Sequence, residues 1–192
     1  MIAQQVKVTS DIIWKGAIFF ALIDLFLLSI LTRFVKAEDL RKIKWRLIIF
    51  MAIFFCLLFG SIVSIIFWDS VYSYVFPTWI RWIIPPAYGL LFSLIGLLTW
   101  WLVFKLPSNP VINFCILGGF WGLLTHILAI HRRILEKPPM LQGASPIAAL
   151  TIATFEFIFY WSICLGFTYL FVNLRSKLFS QTAQKLDTKK IH

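Results

Sequence analysis

Three ionisable side chains interrupt long apolar runs in this chain: Asp24, His126 and Glu156. Such residues are costly inside a bilayer, and they face protein or a water-filled cavity rather than lipid. Asp69, His131 and Tyr160 are their nearest candidate neighbours in the sequence. A carboxylate and an imidazole meeting in a water-poor space have three uses. They can bind a divalent transition metal, with Zn, Fe, Mn or Cu suited to these ligands. They can pass protons. Or they can hydrogen-bond each other and fix helix register, which is the commonest outcome. His126 and His131 are five residues apart, about 140° round a helix, so they do not form the i, i+4 pair of an HExxH site. A metal site would have to draw ligands from several helices.

A second feature is the stretch at residues 131–146, HRRILEKPPMLQGASP. Arg132 and Arg133 could grip a phosphate, carboxylate or lipid headgroup. The plainer reading is a solvated helix end, with basic residues favoured at its C-terminus and Glu136 paired to an arginine. No Walker loop, GxGxxG, GxSxG, HExxH or zinc-finger spacing occurs. Cys56, Cys115 and Cys164 all fall in apolar runs and read as small packing residues.

The elements that must position these groups are long. Of 192 residues, 60% are hydrophobic, and the mean hydropathy is +0.88. The surplus falls in five blocks, at residues 12–35, 47–68, 83–104, 111–130 and 147–172. About 20 residues of helix cross a hydrocarbon core of about 30 Å. The fold class is therefore all-α, a polytopic transmembrane bundle of about five helices, and helices satisfy their own backbone in lipid. The whole chain is expected to form a single integral membrane domain, with a basic tail at 173–192. The first block follows a polar start, carries Asp24 and lacks a cleavage pattern, so it is expected to remain as the first helix.

Local signals fit these limits. Asp11 is expected to cap the first helix. Asn109-Pro110 and Ser145-Pro146 each place a capping side chain before a proline. Pro85-Pro86 is expected to open the third helix rather than kink it. Small residues share faces with the polar ones: Ala17 and Ala21 with Asp24, Ala149 and Ala153 with Glu156 and Tyr160, Gly119 and Gly122 with His126 and Arg133. Those faces should point into the bundle. Gly118 and Gly122 also form a GxxxG, which serves packing within the chain as well as dimerisation.

Charge sets the expected orientation. The net charge is +10, and it lies between the apolar blocks, so it speaks for topology and not for nucleic-acid binding. One side of a five-helix bundle carries Arg33, Lys36, Arg41, Lys42, Lys44 and Arg46, with Lys105 and five basic residues of the tail. The other carries Lys7, Lys15, Arg81, Arg132, Arg133 and Lys137. The positive-inside rule then puts the N-terminus outside and the C-terminus in the cytoplasm. Trp14, Trp68, Trp79 and Trp82 are expected at the outer interface, and Trp45, Trp100 and Trp101 at the inner one. The aromatic stretch at 69–81 is expected to lie along the outer surface.

Three functions suit this pattern. The first is an integral subunit or accessory protein of a larger membrane complex, associated with other membrane subunits or with copies of itself. The second is a membrane enzyme with a metal or acid–base site in the outer half of the bundle. The third is a small proton-coupled carrier, although the repeats and broken helices usual in carriers are not evident.

Overall fold

The computed structural model describes residues 10–133, 136–138 and 143–189, with side-chain detail as far as Arg175. The calls on Lys7, Lys177, Lys185, Lys189 and Lys190 therefore lie outside the described side chains. All regular structure among the described residues is helical. Five helical stretches are long and apolar enough to cross a membrane.

Helix α1 (Ser10–Phe34) leads through a short α2 (Ala37–Arg41) to α3 (Lys44–Ile53). A π-helical stretch, Phe54–Gly60, joins α3 to α4 (Ser61–Ile66) within one continuous span. Two 3-10 turns, Tyr72–Tyr74 and Thr78–Trp82, precede α5 (Ile84–Val103). Helix α6 (Pro110–His131) and the 44-residue α7 (Pro146–Lys189) complete the chain.

The expected starts hold at two prolines. Asn109 Oδ1 accepts the Val111 N–H at 2.9 Å and so caps α6. The Pro85-Pro86 pair lies in the first turn of α5, where missing N–H groups cost nothing. Asp11 does not cap α1. It lies within the first turn and pairs with Lys15 at 2.8 Å. Ser145 accepts through its carbonyl, from Ala149 N–H at 3.0 Å. Its own N–H donates to Ser10 Oγ at 3.0 Å, which sets the starts of α1 and α7 side by side.

The fifth helix does not stop near residue 172, because nothing after it breaks a helix. The apolar span ends by Arg175, yet the helix continues to Lys189. Two of the tryptophans expected at the interfaces face protein. Trp100 and Trp68 are buried, whereas Trp101 and Trp45 are exposed. Trp100 meets Phe104 and Phe114 edge-on inside the bundle. Trp68 lies beneath the Arg81 guanidinium. Adjacent residues on a helix point about 100° apart, so only one of the pair Trp100-Trp101 can face outward.

Glycines let the backbones approach. A Cβ on Gly122 would sit 2.6 Å from Phe157 Cβ and 2.8 Å from the Ala153 carbonyl, and one on Gly119 would sit 2.6 Å from Ile158 Cγ1. The GxxxG of α6 is thus filled by α7 of the same chain. Gly89 plays the same part on α5 against Cys56 and Ala52. Lipid tails give little hydrophobic drive between helices, so this close packing carries much of the association. At the far end, buried Asn113 ties α6 to α5. Its Nδ2 donates to the Val103 and Ser108 carbonyls at 3.2 and 3.1 Å.

Gly122→Ala is expected to destabilise the isolated chain by about 1–3 kcal/mol through overpacking. Gly166→Ala, whose Cβ would meet Leu31 Cδ2 at 3.4 Å, should be nearly neutral. Denaturation in mild detergent would compare them. Equal stabilities, with a change of oligomeric state in the Gly122 variant, would assign the motif to dimerisation instead.

Candidate functional site

Helix α7 carries the first candidate cluster. Glu156 lies ten residues past Pro146, about 15 Å along the helix. One turn later the Tyr160 hydroxyl donates to Glu156 Oε1. Across from them, the Tyr88 hydroxyl near the start of α5 lies 3.3 Å from that of Tyr72, in the first 3-10 turn. Tyr72, Tyr88 and His126 all fall within electrostatic reach of Glu156.

His126 is oriented by its own helix. Its Nδ1 lies 3.0 Å from the Gly122 carbonyl. A carbonyl only accepts, so Nδ1 carries a proton. The imidazole meets Phe157 edge-on, with centroids 6.0 Å apart. Phe59, from the π-helical stretch, packs on Tyr160 at 4.1 Å. Phe92 packs against both Tyr88 and Phe157. The result is a carboxyl group, an imidazole and three phenols within aromatic walls. Burial pushes the Tyr72 hydroxyl above its ordinary range, opposed by its hydrogen bond to Tyr88. A phenol ordinarily keeps its proton up to about pH 10, so the three serve as neutral hydrogen-bonding groups. Such a set can hold a polar or cationic ligand.

Asp24 stands apart. It is 3% exposed, and neither carboxylate oxygen has a hydrogen-bond partner. Its electrostatic neighbour is Cys115 on α6, whose thiol in turn meets Ser162 on α7. Ser162 and Glu156 are six residues apart on α7, which puts them about 120° apart round the helix and about 9 Å apart along it. The structure thus brings Glu156, His126 and Tyr160 into one neighbourhood and leaves Asp24 in another. Among the described residues, no three His, Cys, Asp or Glu side chains gather closely enough to hold a metal ion.

The remaining candidates lie at the surface. Asp69 is exposed, and its carbonyl accepts from Ser73 Oγ at 3.3 Å. His131 is the last residue of α6 and is exposed, as are Arg132 and Arg133. Arg133 leaves the His126 face because the helix has already ended. Its φ is +53°, and its N–H closes on the Ile130 carbonyl at 2.9 Å. It therefore terminates α6 in the left-handed conformation usually given to glycine. Among the described residues Glu136 forms no ion pair with either arginine.

Tyr72 and Tyr88 are the cluster members that sequence reasoning missed. The signal was the aromatic stretch after residue 69, which supplies Tyr72 from a connection rather than from a span. Comparison of the chain with family models, curated proteins and solved structures gives no match.

Three outcomes follow for stability. Asp24→Leu is expected to leave the fold intact and to stabilise it by about 1–3 kcal/mol, since no bonded partner is left behind. Tyr160→Phe strips a donor from Glu156 and should cost about 1–3 kcal/mol. Thermal unfolding in detergent distinguishes these signs, and a destabilised Asp24→Leu would reveal a partner for that carboxyl group. Arg133→Gly is expected to gain about 1 kcal/mol by relieving the left-handed residue. A loss in the same assay would mean that the guanidinium itself holds α6 in place.

Proposed function

We propose that this chain acts as an integral subunit or accessory protein of a larger membrane complex. The observation that carries this reading is the length of α7. Its apolar span is Pro146–Arg175, yet the helix runs to Lys189. The fourteen further residues extend it by about 21 Å. A helix of that length is marginal in water by itself, and a neighbouring chain or the membrane surface would stabilise it. The basic end of the bundle, with the first connection and Lys105, is assigned to the cytoplasm on the positive-inside rule. The C-terminal part of α7 would then offer a cytoplasmic docking rod. This reading takes other membrane subunits, or further copies of the chain, as partners.

A second reading is favoured by a different observation. The Glu156–Tyr160 hydrogen bond, with His126, Tyr72 and Tyr88 around it, forms a protonatable group in one half of the bundle. That suits a proton-coupled carrier or an acid–base membrane enzyme. Ligands from this cluster alone would give a bound divalent metal too few strong donors.

Native mass spectrometry of the protein in mild detergent tests the first reading. Additional chains at fixed stoichiometry are expected, and they should be lost when the chain is stopped after residue 175. A full-length monomer free of other chains would sink it. The second reading expects Glu156→Gln to abolish pH-dependent uptake in vesicles while folding is retained. Unchanged uptake would remove Glu156 from the reaction.

A further inference from the structure

The end of the bundle where α3 begins carries a groove that neither cluster uses. It is open to the apolar surroundings, about 400 Å³ in volume, and lined by Lys44, Leu94, Leu97, Leu98 and Trp101. The α5 residues follow helical spacing and form one exposed stripe. From Leu94 to Trp101 the stripe runs about 10 Å along the helix axis. Lys44, the first residue of α3, closes the groove at its polar end. One turn beyond Trp101, the Lys105 ammonium lies 3.3 Å from the Trp101 ring centroid.

The chemistry of this groove changes along its length. Its floor is wholly leucine. Its mouth holds Lys44 and a tryptophan, the residue most at home at a membrane interface, with the Lys105 ammonium against the same indole. Neither lysine is in an ion pair among the described residues, whose ion pairs are Lys15–Asp11 and Lys42–Asp39. Arg41 adds a third cation at the same end, its guanidinium 5.5 Å from the Phe104 ring centroid. A partner that matches must be apolar over about 10 Å and anionic at one end.

We propose that this groove is a binding site for an anionic glycerophospholipid. An acyl chain lies on Leu94, Leu97 and Leu98, and the phosphate sits between Lys44 and Lys105. The Trp101 indole marks the level of the glycerol backbone. Cations beside an apolar cleft favour anionic over zwitterionic lipid because the second charge of a choline headgroup is repelled there. Lys105 is preorganised by its contact with Trp101, so less side-chain freedom is lost when phosphate arrives.

The test uses the full-length protein in mixed micelles holding equal amounts of phosphatidylglycerol and phosphatidylcholine, read by native mass spectrometry. Wild type is expected to retain one phosphatidylglycerol in preference to phosphatidylcholine. Each of Lys44→Gln and Lys105→Gln should reduce that preference about fivefold. Lys15→Gln, at the opposite end of the bundle and paired there with Asp11, should leave it unchanged. Leu97→Trp fills the floor and should reduce retention of both lipids, with circular dichroism confirming that the helices are intact. Equal retention of the two lipids by wild type would overturn the site. So would an undiminished preference in the Lys44→Gln/Lys105→Gln double variant. Displacement of phosphatidylglycerol by millimolar inorganic phosphate, with Leu97→Trp behaving as wild type, would also overturn it, because the groove would then be binding a free anion.

Discussion

Helices surrounded by apolar solvent gain little by hiding apolar surface from one another, so their arrangement rests on how closely their backbones can pack. In this chain that constraint acts most strongly where α6 meets α7. Gly118, Gly119 and Gly122 leave room for Trp161, Ile158 and Phe157, and any larger residue there would collide with them. Helix α7 presents a different face to α1, where Gly16 lies over Ile152 and Phe20 over Phe159. The remaining helices follow from these two contacts. Asn113 binds the end of α5 to the start of α6, and α5 in turn receives α3 across Gly89 and Gly96. Loosening the α6–α7 seam would therefore move His126 away from Glu156 while leaving both on intact helices.

The spans were legible in the sequence because their signal is long and physical. An apolar run either reaches across a bilayer or does not, and the capped prolines fix several starts to within a residue or two. Less local properties were not legible. Hydropathy falls after residue 172, but a helix ends only where something breaks it, and Lys and Gln do not. The π-helical stretch at Phe54–Gly60 has no sequence mark that length or hydropathy would reveal. It brings Phe59 onto Tyr160, so part of the candidate cluster depends on a feature that periodicity could not supply.

The candidate site was half legible for a similar reason. Asp24, His126 and Glu156 stand out by type, and small residues correctly mark the faces of Asp24 and Glu156 as inward. Inward is a property of one helix at a time. Whether two inward groups meet depends on the order in which helices surround a third, and that order is set by pairwise packing. Arg133 illustrates the same limit at short range. It shares the His126 face only if α6 continues, and the chain turns left-handed there instead.

The two acidic groups beside α7 show how much the surroundings decide. Glu156 has a phenol donating to it, an imidazole nearby and two more tyrosines behind, so its charge state can respond to what enters the cluster. Asp24 is buried and has no donor at either oxygen. An ionised carboxylate there would lack every compensation that makes a buried charge tolerable. The same residue class therefore sits in two different surroundings on one helix bundle. A group with ready partners and mixed polarity around it is suited to exchange. A group buried near Cys115 with no donor to its oxygens is suited to staying as it is until the helices around it move.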